Sequence, residues 1–434
     1  MQREIDNHLI NWKKSENRKP LILRGARQIG KTTSVRKLGK AFKNFIEINF
    51  EFMPKFNAIF EADLDSHRII SDIQFVIQQP VIPGETLLFF DEAPAVPRVL
   101  IALRYFYELI PELHVIAAGS LLDFAIEQVG LPVGRIQILE MHPMSYKEFL
   151  WAMGNHFLVD GILNLDPNKP FNSAVHDKGL RLFSEYIAVG GLPEAVACWR
   201  DKKNYSLCLN VHHDLIRIYK QDFEKYAKKP QIQYVDHVFS QVSYQLGEQF
   251  NYAKLSGEFR KRELEPALRL LEKANVITKI IQTPARGIPL GANINPSHFK
   301  VIMLDVALTQ ALLGHTSEQW ILDIENEFVN KGAIAEAFIG QELLAYSNPR
   351  RENNLYYWRR NQHGSEAEID YIVARDMQMI PIEVKAGKGS TLKSMHLFLQ
   401  EHPEVPYGIR FSTQNFSRYE KIISYPLYAA MCLI

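Results

Sequence analysis

The chain has 434 residues, 47% of them hydrophobic and 23% charged, and carries a formal net charge of +1. That length exceeds a single hydrophobic core and predicts two or three domains. The near-zero charge excludes a globally basic nucleic-acid binder and leaves room for a local basic groove. Cys198, Cys208 and Cys432 show neither C-x-x-C nor metal-finger spacing, so a disulfide framework is excluded and a reducing cytoplasm fits. The opening Met1–Asp6 is charged and lacks the apolar stretch of a signal peptide. No apolar run approaches a membrane span, so no membrane association is expected.

Residues 2–13 predict a short helix with Ile5, Leu9, Ile10 and Trp12 as its apolar positions. Leu21-Ile22-Leu23 follows as a buried strand. It runs into Gly25-Ala26-Arg27-Gln28-Ile29-Gly30-Lys31-Thr32-Thr33, and Thr33–Leu38 reads as the first turns of a helix. The octet Gly25–Thr32 fits G-x-x-x-x-G-K-[ST], and strand, glycine loop and helix form the setting a phosphate-binding P-loop needs. The glycines let backbone N–H groups turn inward, and the helix N-terminus adds partial positive charge. Lys31 is expected to reach the β- and γ-phosphates of ATP, and the Thr32 hydroxyl to hold Mg²⁺.

Asn44–Glu51 predicts a second strand, and Thr86-Leu87-Leu88-Phe89-Phe90-Asp91-Glu92 a third that ends in two carboxylates, a Walker B pattern. Asp91 is expected to steady Mg²⁺ and Glu92 to polarise the attacking water. His114–Ser120 predicts a fourth strand with a polar tip, which places Ser120 as a γ-phosphate or water sensor. Arg135 precedes a strand over Ile136–Met141 and has two readings: a contact to the γ-phosphate, in cis or from a neighbouring subunit, or a solvated arginine at a strand start. The α/β alternation over 20–143 predicts a parallel sheet with nucleotide at the carboxyl ends of its strands. From Met144 the pattern turns helical. It breaks at Gly190-Gly191 and restarts at Pro193, a favourable first helical position, which suggests a helix–turn–helix in a lid.

The expected organisation is an ATPase domain with helical lid over 1–205, a winged-helix-like domain over 206–315, and a third domain over 316–434. In the middle segment Leu264, Ala267, Leu268 and Leu271 share a helical face. Strands over Val276–Ile281 and Phe299–Asp305 follow as a wing, and the basic run Arg260-Lys261-Arg262 reads as a phosphate contact or a solvated helix end. In the last segment a helix over Gly332–Leu344 carries Glu336. Strands follow at Leu355–Trp358, Ala367–Val373 and Met379–Lys385. Asp370 and the pair Glu383-x-Lys385 fall on adjacent strands, with Glu383 and Lys385 on one face. This is the pattern of a PD-(D/E)XK nuclease core. Glu336, Asp370 and Glu383 are expected to share a divalent metal, and Lys385 to orient the attacking water. Without metal such a cluster should hold protons or recruit a basic neighbour.

The chain resembles a widespread prokaryotic family of AAA-type ATP-binding proteins. The stretches that carry the likeness are Gly25–Thr33, Phe90-Asp91-Glu92-Ala93, Ala118-Gly119-Ser120, Gly134-Arg135, Gly190–Glu194, Phe299–Asp305, Tyr357-Trp358-Arg359 and Pro381–Ala386. At His142-Pro143-Met144-Ser145 the family commonly has a more apolar residue before the proline. The resemblance implies a P-loop domain, a winged-helix-like middle and a C-terminal domain of unknown function with nuclease-like motifs. That last part is similar to archaeal Holliday-junction resolvases and restriction endonucleases, which implies DNA as substrate. Two functions follow: an ATPase that couples hydrolysis to nucleic-acid binding or cleavage, or an ATP-dependent switch whose C-terminal domain only binds a partner. Neither reading gives the oligomeric state.

Overall fold

The computed structural model describes residues 1–166, 168–255, 257, 259–314, 332–362, 365–385 and 392–433. The expected boundary at 315/316, and Ala386 of the family stretch, lie outside them. The chain divides into two compact units. The first holds Met1–Pro143, with Lys273–Asn275 and Asn348–Glu352 added from later in the chain. The second holds the remainder.

The first unit is built on five parallel strands, β1 (Leu21–Arg24), β2 (Asn44–Asn49), β3 (Thr86–Asp91), β4 (His114–Ala118) and β5 (Gln137–Glu140), in the order β2-β3-β4-β1-β5. Insertion of β4 between β1 and β3 opens a crevice at the strand ends, where such sheets hold ligands. β3 and β4 are buried along their whole length, as central strands covered on both faces must be, and their near-continuous apolar runs reflect it. The helices are α1 (Ile5–Lys14), α2 (Lys31–Gly39), α3 (Ser66–Ile77), α4 (Arg98–Leu109) and α5 (Leu122–Val129). Phe50, Phe60, Phe90 and Phe106 form an aromatic spine between sheet and helices, with ring centroids 5.6–6.0 Å apart. In α1 the buried apolar side chains are Ile5, Leu9 and Trp12. Ile10, expected with them, is 41% exposed because it lies off the 5-9-12 stripe. Its place in the interior goes to Asp6, which pairs with Lys37 at 2.7 Å.

The second unit opens with helices α6 (Tyr146–Ala152), α7 (His156–Leu163), α8 (Ser173–Val189), α9 (Pro193–Lys202), α10 (Tyr205–Tyr226), α11 (Ile232–Gln241) and α12 (Lys261–Lys273). The strands β6 (Ile277–Gln282) and β7 (Phe299–Met303) come next, then α13 (Val306–Leu312), α14 (Gly332–Ala345), β8 (Leu355–Gln362), β9 (Ser365–Arg375), β10 (Gln378–Lys385), α15 (Lys393–Glu401), β11 (Gly408–Ser412), β12 (Ser417–Tyr419) and β13 (Ile422–Pro426). All eight strands lie in one mixed sheet, β12-β13-β11-β10-β9-β8-β6-β7. Two features differ from the expected organisation. Residues 144–205 group with the second unit rather than with the P-loop domain. The β6–β7 hairpin follows α12 as a wing would, but β6 also pairs in parallel with β8, Ile280 opposite Leu355. The hairpin therefore extends the C-terminal sheet and is not a free-standing module. A wing and a sheet edge carry the same alternating apolar pattern, so the pattern alone does not separate them.

The break at Gly190-Gly191 is present. Gly190 adopts φ +74° and a Cβ there would meet Asp305 Oδ1 at 2.3 Å. Asp305, fully buried, accepts from the Gly191 N–H at 2.7 Å and caps α13 through the N–H groups of Ala307 and Leu308 at 2.9 and 3.0 Å. Among the described residues no helix is long and apolar enough to cross a membrane.

Candidate functional sites

In the first unit β1 delivers the chain into the loop 25–30, and α2 begins at Lys31. Gly25 has φ +144°, and a Cβ there would sit 2.2 Å from Met141 O, so only glycine fits. Gly30 has φ +98° and Gln28 +61°, both left-handed, which wraps the loop about its centre. Ile29 is buried and pins the loop, while Gln28 and Thr33 are exposed. Lys31 is 8% exposed and donates to the carbonyls of Gly25 and Ala26 at 2.8 and 2.6 Å. Burial lowers its pKa to about 8, against the raising effect of Glu92 and Asp91. Arg27 lies near enough to act on both Lys31 and Glu92.

The Thr32 hydroxyl donates to both oxygens of Asp91 at 3.2 Å. Asp91 ends β3 and is 5% exposed, and burial raises its pKa. Glu92 turns the chain at φ +50°. Its pKa is raised first by burial, then by the Asp91 and Glu51 carboxylates. Ser120 is buried just beyond β4. The structure brings Lys31, Thr32, Asp91 and Glu92 together. Arg135 is exposed and its Nε donates to Glu108 at 2.8 Å.

Two contributors escape the motif reading. Asn49, at the tip of β2, donates to Asp91 Oδ2 at 3.2 Å; a polar residue closing an apolar strand was its signal. Arg3, before α1, donates to Ile29 O and to His142 O, both at 2.7 Å, and so braces the loop from outside. No local pattern announces it. His142 Nε2 is sealed without a hydrogen-bond partner, and burial lowers this imidazole's pKa to about 4.

In the second unit the expected C-terminal residues also converge. β9 and β10 are antiparallel with Ile382 opposite Tyr371, which brings Asp370 and Glu383 alongside each other. Asp370 Oδ2 accepts from the Val384 N–H at 2.7 Å. Glu383 is 1% exposed, and its Oε1 pairs with Lys385 Nζ at 2.8 Å, as the shared face predicts. Its Oε2 is buried without a hydrogen-bond partner. Glu336, on α14, holds its pKa near 7, raised by burial and by Asp370 and lowered by Lys300.

Lys300 was not among the expected site residues. It projects from β7, is 1% exposed, and pairs with Glu336 Oε1 at 2.8 Å and Glu368 Oε1 at 2.5 Å. Its ammonium passes 5.3 Å from the centre of the Tyr357 ring on β8. Burial acts to lower its pKa, but Glu336, Asp370 and Glu368 outweigh it and the pKa is raised. Among the described residues no three His, Cys, Asp or Glu side chains are arranged to hold a metal ion. Lys300 stands beside Glu336 of the expected trio, a basic neighbour of the kind such a cluster recruits without metal. The signal was a lysine inside the apolar strand Phe299-Lys300-Val301-Ile302-Met303. Beside Glu368 lies a cavity of about 750 Å³ lined by Gln249, Asn251, Arg359 and Ser394 among others.

Residues 17–150 match the AAA domain family. Residues 180–319 match a domain of unknown function, DUF8612, and 331–429 another, DUF4143. No curated protein matches the chain. Among the solved structures similar to the chain are the following three. A Walker-type ATPase of Pyrococcus abyssi has 17% identity over 72% of this chain and 95% of its own, with a TM-score of 0.45. The C. elegans PCH-2 protein has 10% identity over 48% and 65%, with a TM-score of 0.28. The Aeropyrum pernix ORC1 protein, solved in complex with DNA, has 12% identity over 74% and 94%, with a TM-score of 0.24. Superpositions this loose carry no argument about function. The domain assignment rests on the family match: the first unit is a P-loop domain of the AAA type.

Proposed function

We propose that the chain hydrolyses ATP in its first unit and uses the nucleotide cycle to govern what its second unit binds. The Thr32–Asp91 hydrogen bond, with Lys31 buried beside it, carries this reading. A hydroxyl on the first turn of α2 and a carboxylate at the tip of β3 form an oxygen donor pair of the kind Mg²⁺ prefers. The left-handed backbone at Gln28 and Gly30, φ +61° and +98°, is of the kind that lets successive N–H groups converge on a phosphate chain. Bound there, Mg²⁺ would offset phosphate charge. Lys31 exchanges its two carbonyl acceptors for β- and γ-phosphate oxygens. Glu92 accepts a hydrogen bond from the attacking water, whose oxygen bonds to the γ-phosphorus as the bond to the β–γ bridging oxygen breaks, giving ADP and phosphate. A carboxylate with a raised pKa is a stronger proton acceptor than an ordinary one, which suits that role. Ser120 is the proposed sensor at the neighbouring strand end.

For the second unit the notable observation is Lys300 among Glu336, Glu368 and Asp370. It favours a unit that binds its partner, DNA included, without cleaving it. The test is phosphate release by the full chain and by Lys31→Ala, with and without single-stranded, duplex and branched DNA, while strand scission is followed in Mg²⁺ or Mn²⁺. Release that disappears in Lys31→Ala, with intact DNA throughout, is the expected result. Equal release in both proteins would remove the ATPase reading. Scission abolished by Asp370→Asn would restore the nuclease.

A further inference from the structure

We propose that Lys300 is the resident cation of the C-terminal carboxylate cluster, standing where a divalent ion would neutralise it, so that the cluster is closed to Mg²⁺ and Mn²⁺ while Lys300 is in place. The inference deepens the binding-module reading of the second unit and rests on it.

The charges require a cation of some kind. Glu336, Glu368, Asp370 and Glu383 come from one helix and two strands, and burial raises the pKa of three of them. Carboxylates packed this closely either hold protons or gather positive charge. A metal is one solution and an ammonium is another. Lys300 supplies the second: it reaches two of the four carboxylates directly at 2.8 and 2.5 Å and is sealed from solvent. It arrives from β7, with β6 and β8 lying between it and the strand that carries Glu368 and Asp370. The flat Tyr357 ring gives its stem and charge a surface to cross. Two further oxygens of the cluster have protein partners. Asp370 Oδ2 takes the Val384 N–H, and Glu383 Oε1 takes Lys385. Glu383 Oε2 is buried and unbonded. A divalent ion entering this cluster would have to displace Lys300 or sit against its charge.

The test is Mn²⁺ binding to the full chain stripped with chelator, without nucleotide so that the P-loop unit contributes equally to every sample. The free ion is followed by electron paramagnetic resonance. Wild type and Asp370→Asn should give superimposable isotherms. Lys300→Ala should gain one Mn²⁺ site, and Lys300→Ala/Asp370→Asn should lose it again. The proposal is overturned if Asp370→Asn or Glu383→Gln removes an Mn²⁺ site from the wild-type background, or if folded Lys300→Ala gains none. Should Lys300→Ala fail to fold, the comparison of wild type with Asp370→Asn and Glu383→Gln still decides. Phosphate release is a separate readout, so failure of the ATPase reading leaves this result standing.

Discussion

Replacing Lys300 by methionine isolates the electrostatic part of the cluster, because methionine keeps the length of the stem and loses the ammonium. The change leaves Glu336, Glu368 and Asp370 facing one another without the cation that now lies 2.8 and 2.5 Å from the first two. Removing one partner of a buried ion pair costs about 3–5 kcal/mol, and that is the loss expected at pH 8. The penalty must shrink in acid. Glu336 already titrates near 7 with Lys300 present, and without Lys300, which acts to lower it, the Glu336 carboxyl moves higher still. An acid whose folded pKa exceeds its unfolded value loses stability as pH rises between the two and regains it as pH falls. Each pH unit in that window is worth about 1.4 kcal/mol per group. A carboxyl pushed beyond 8 therefore regains about 4 kcal/mol between pH 8 and pH 5, against about 3 kcal/mol for wild-type Glu336. Lys300 stays charged at both pH values and adds nothing to the slope. Urea unfolding followed by tryptophan fluorescence reads the second unit through Trp151, Trp199 and Trp358, with Trp12 of the first unit replaced by phenylalanine in every sample. The double substitution Lys300→Met/Glu336→Gln, which removes one charge of each sign, should recover part of the loss. A penalty below about 1 kcal/mol at pH 8, or one that is equal at pH 5 and pH 8, refutes the account of this cluster as a buried ion group.

Glu92→Gln should retain nucleotide binding and lower turnover by about 10²–10⁴-fold; phosphate release near wild type would remove Glu92 from the water. Gly25→Ala should abolish nucleotide binding and destabilise the first unit by at least about 2 kcal/mol, since the new Cβ meets Met141 O at 2.2 Å and Ile29 Cδ1 at 2.6 Å. A binding isotherm like that of wild type would contradict it. His142 is held neutral with its pKa near 4. Stability that is complete above pH 6.5 is therefore lost as the pH falls towards 4, by about 3 kcal/mol. His142→Leu should move the acid-unfolding midpoint of the first unit to lower pH, and an unmoved midpoint would assign the acid sensitivity elsewhere.

The P-loop unit was legible because its chemistry is written locally. Each strand is a short apolar run that ends in a polar residue, and the loop needs glycine at positions fixed by φ angles. Its bracing was not legible. Arg3 reaches Ile29 and His142, at separations of 26 and 139 residues, through backbone carbonyls that have no sequence signature. In the second unit the helix Glu, the strand Asp and the Glu-x-Lys pair could be read, since periods of 3.6 and 2 set their faces. Lys300 could not be placed. Its reach depends on which strands lie between β7 and β9, and that is a matter of sheet order rather than of pattern. The same limit applies to the β6–β7 hairpin, whose pairing with β8 joins what the sequence suggested were separate modules.

Beside local caps such as Ser145 on α6 and Asn172 on α8, two buried N–H groups of the second unit's helical region find their acceptors late in the chain. The Tyr146 N–H at the start of α6 is accepted by Glu342 at 3.0 and 3.1 Å, and the Gly191 N–H between α8 and α9 by Asp305. During synthesis residues 144–202 therefore leave the ribosome well before the acceptors for their buried N–H groups exist. A fragment that ends at 205 would keep those donors open to water and would lack these late contacts. The second unit is thus expected to fold only when its chain is nearly complete. Until then its early helices are a period of exposure, the interval in which a chaperone or a protease would find them.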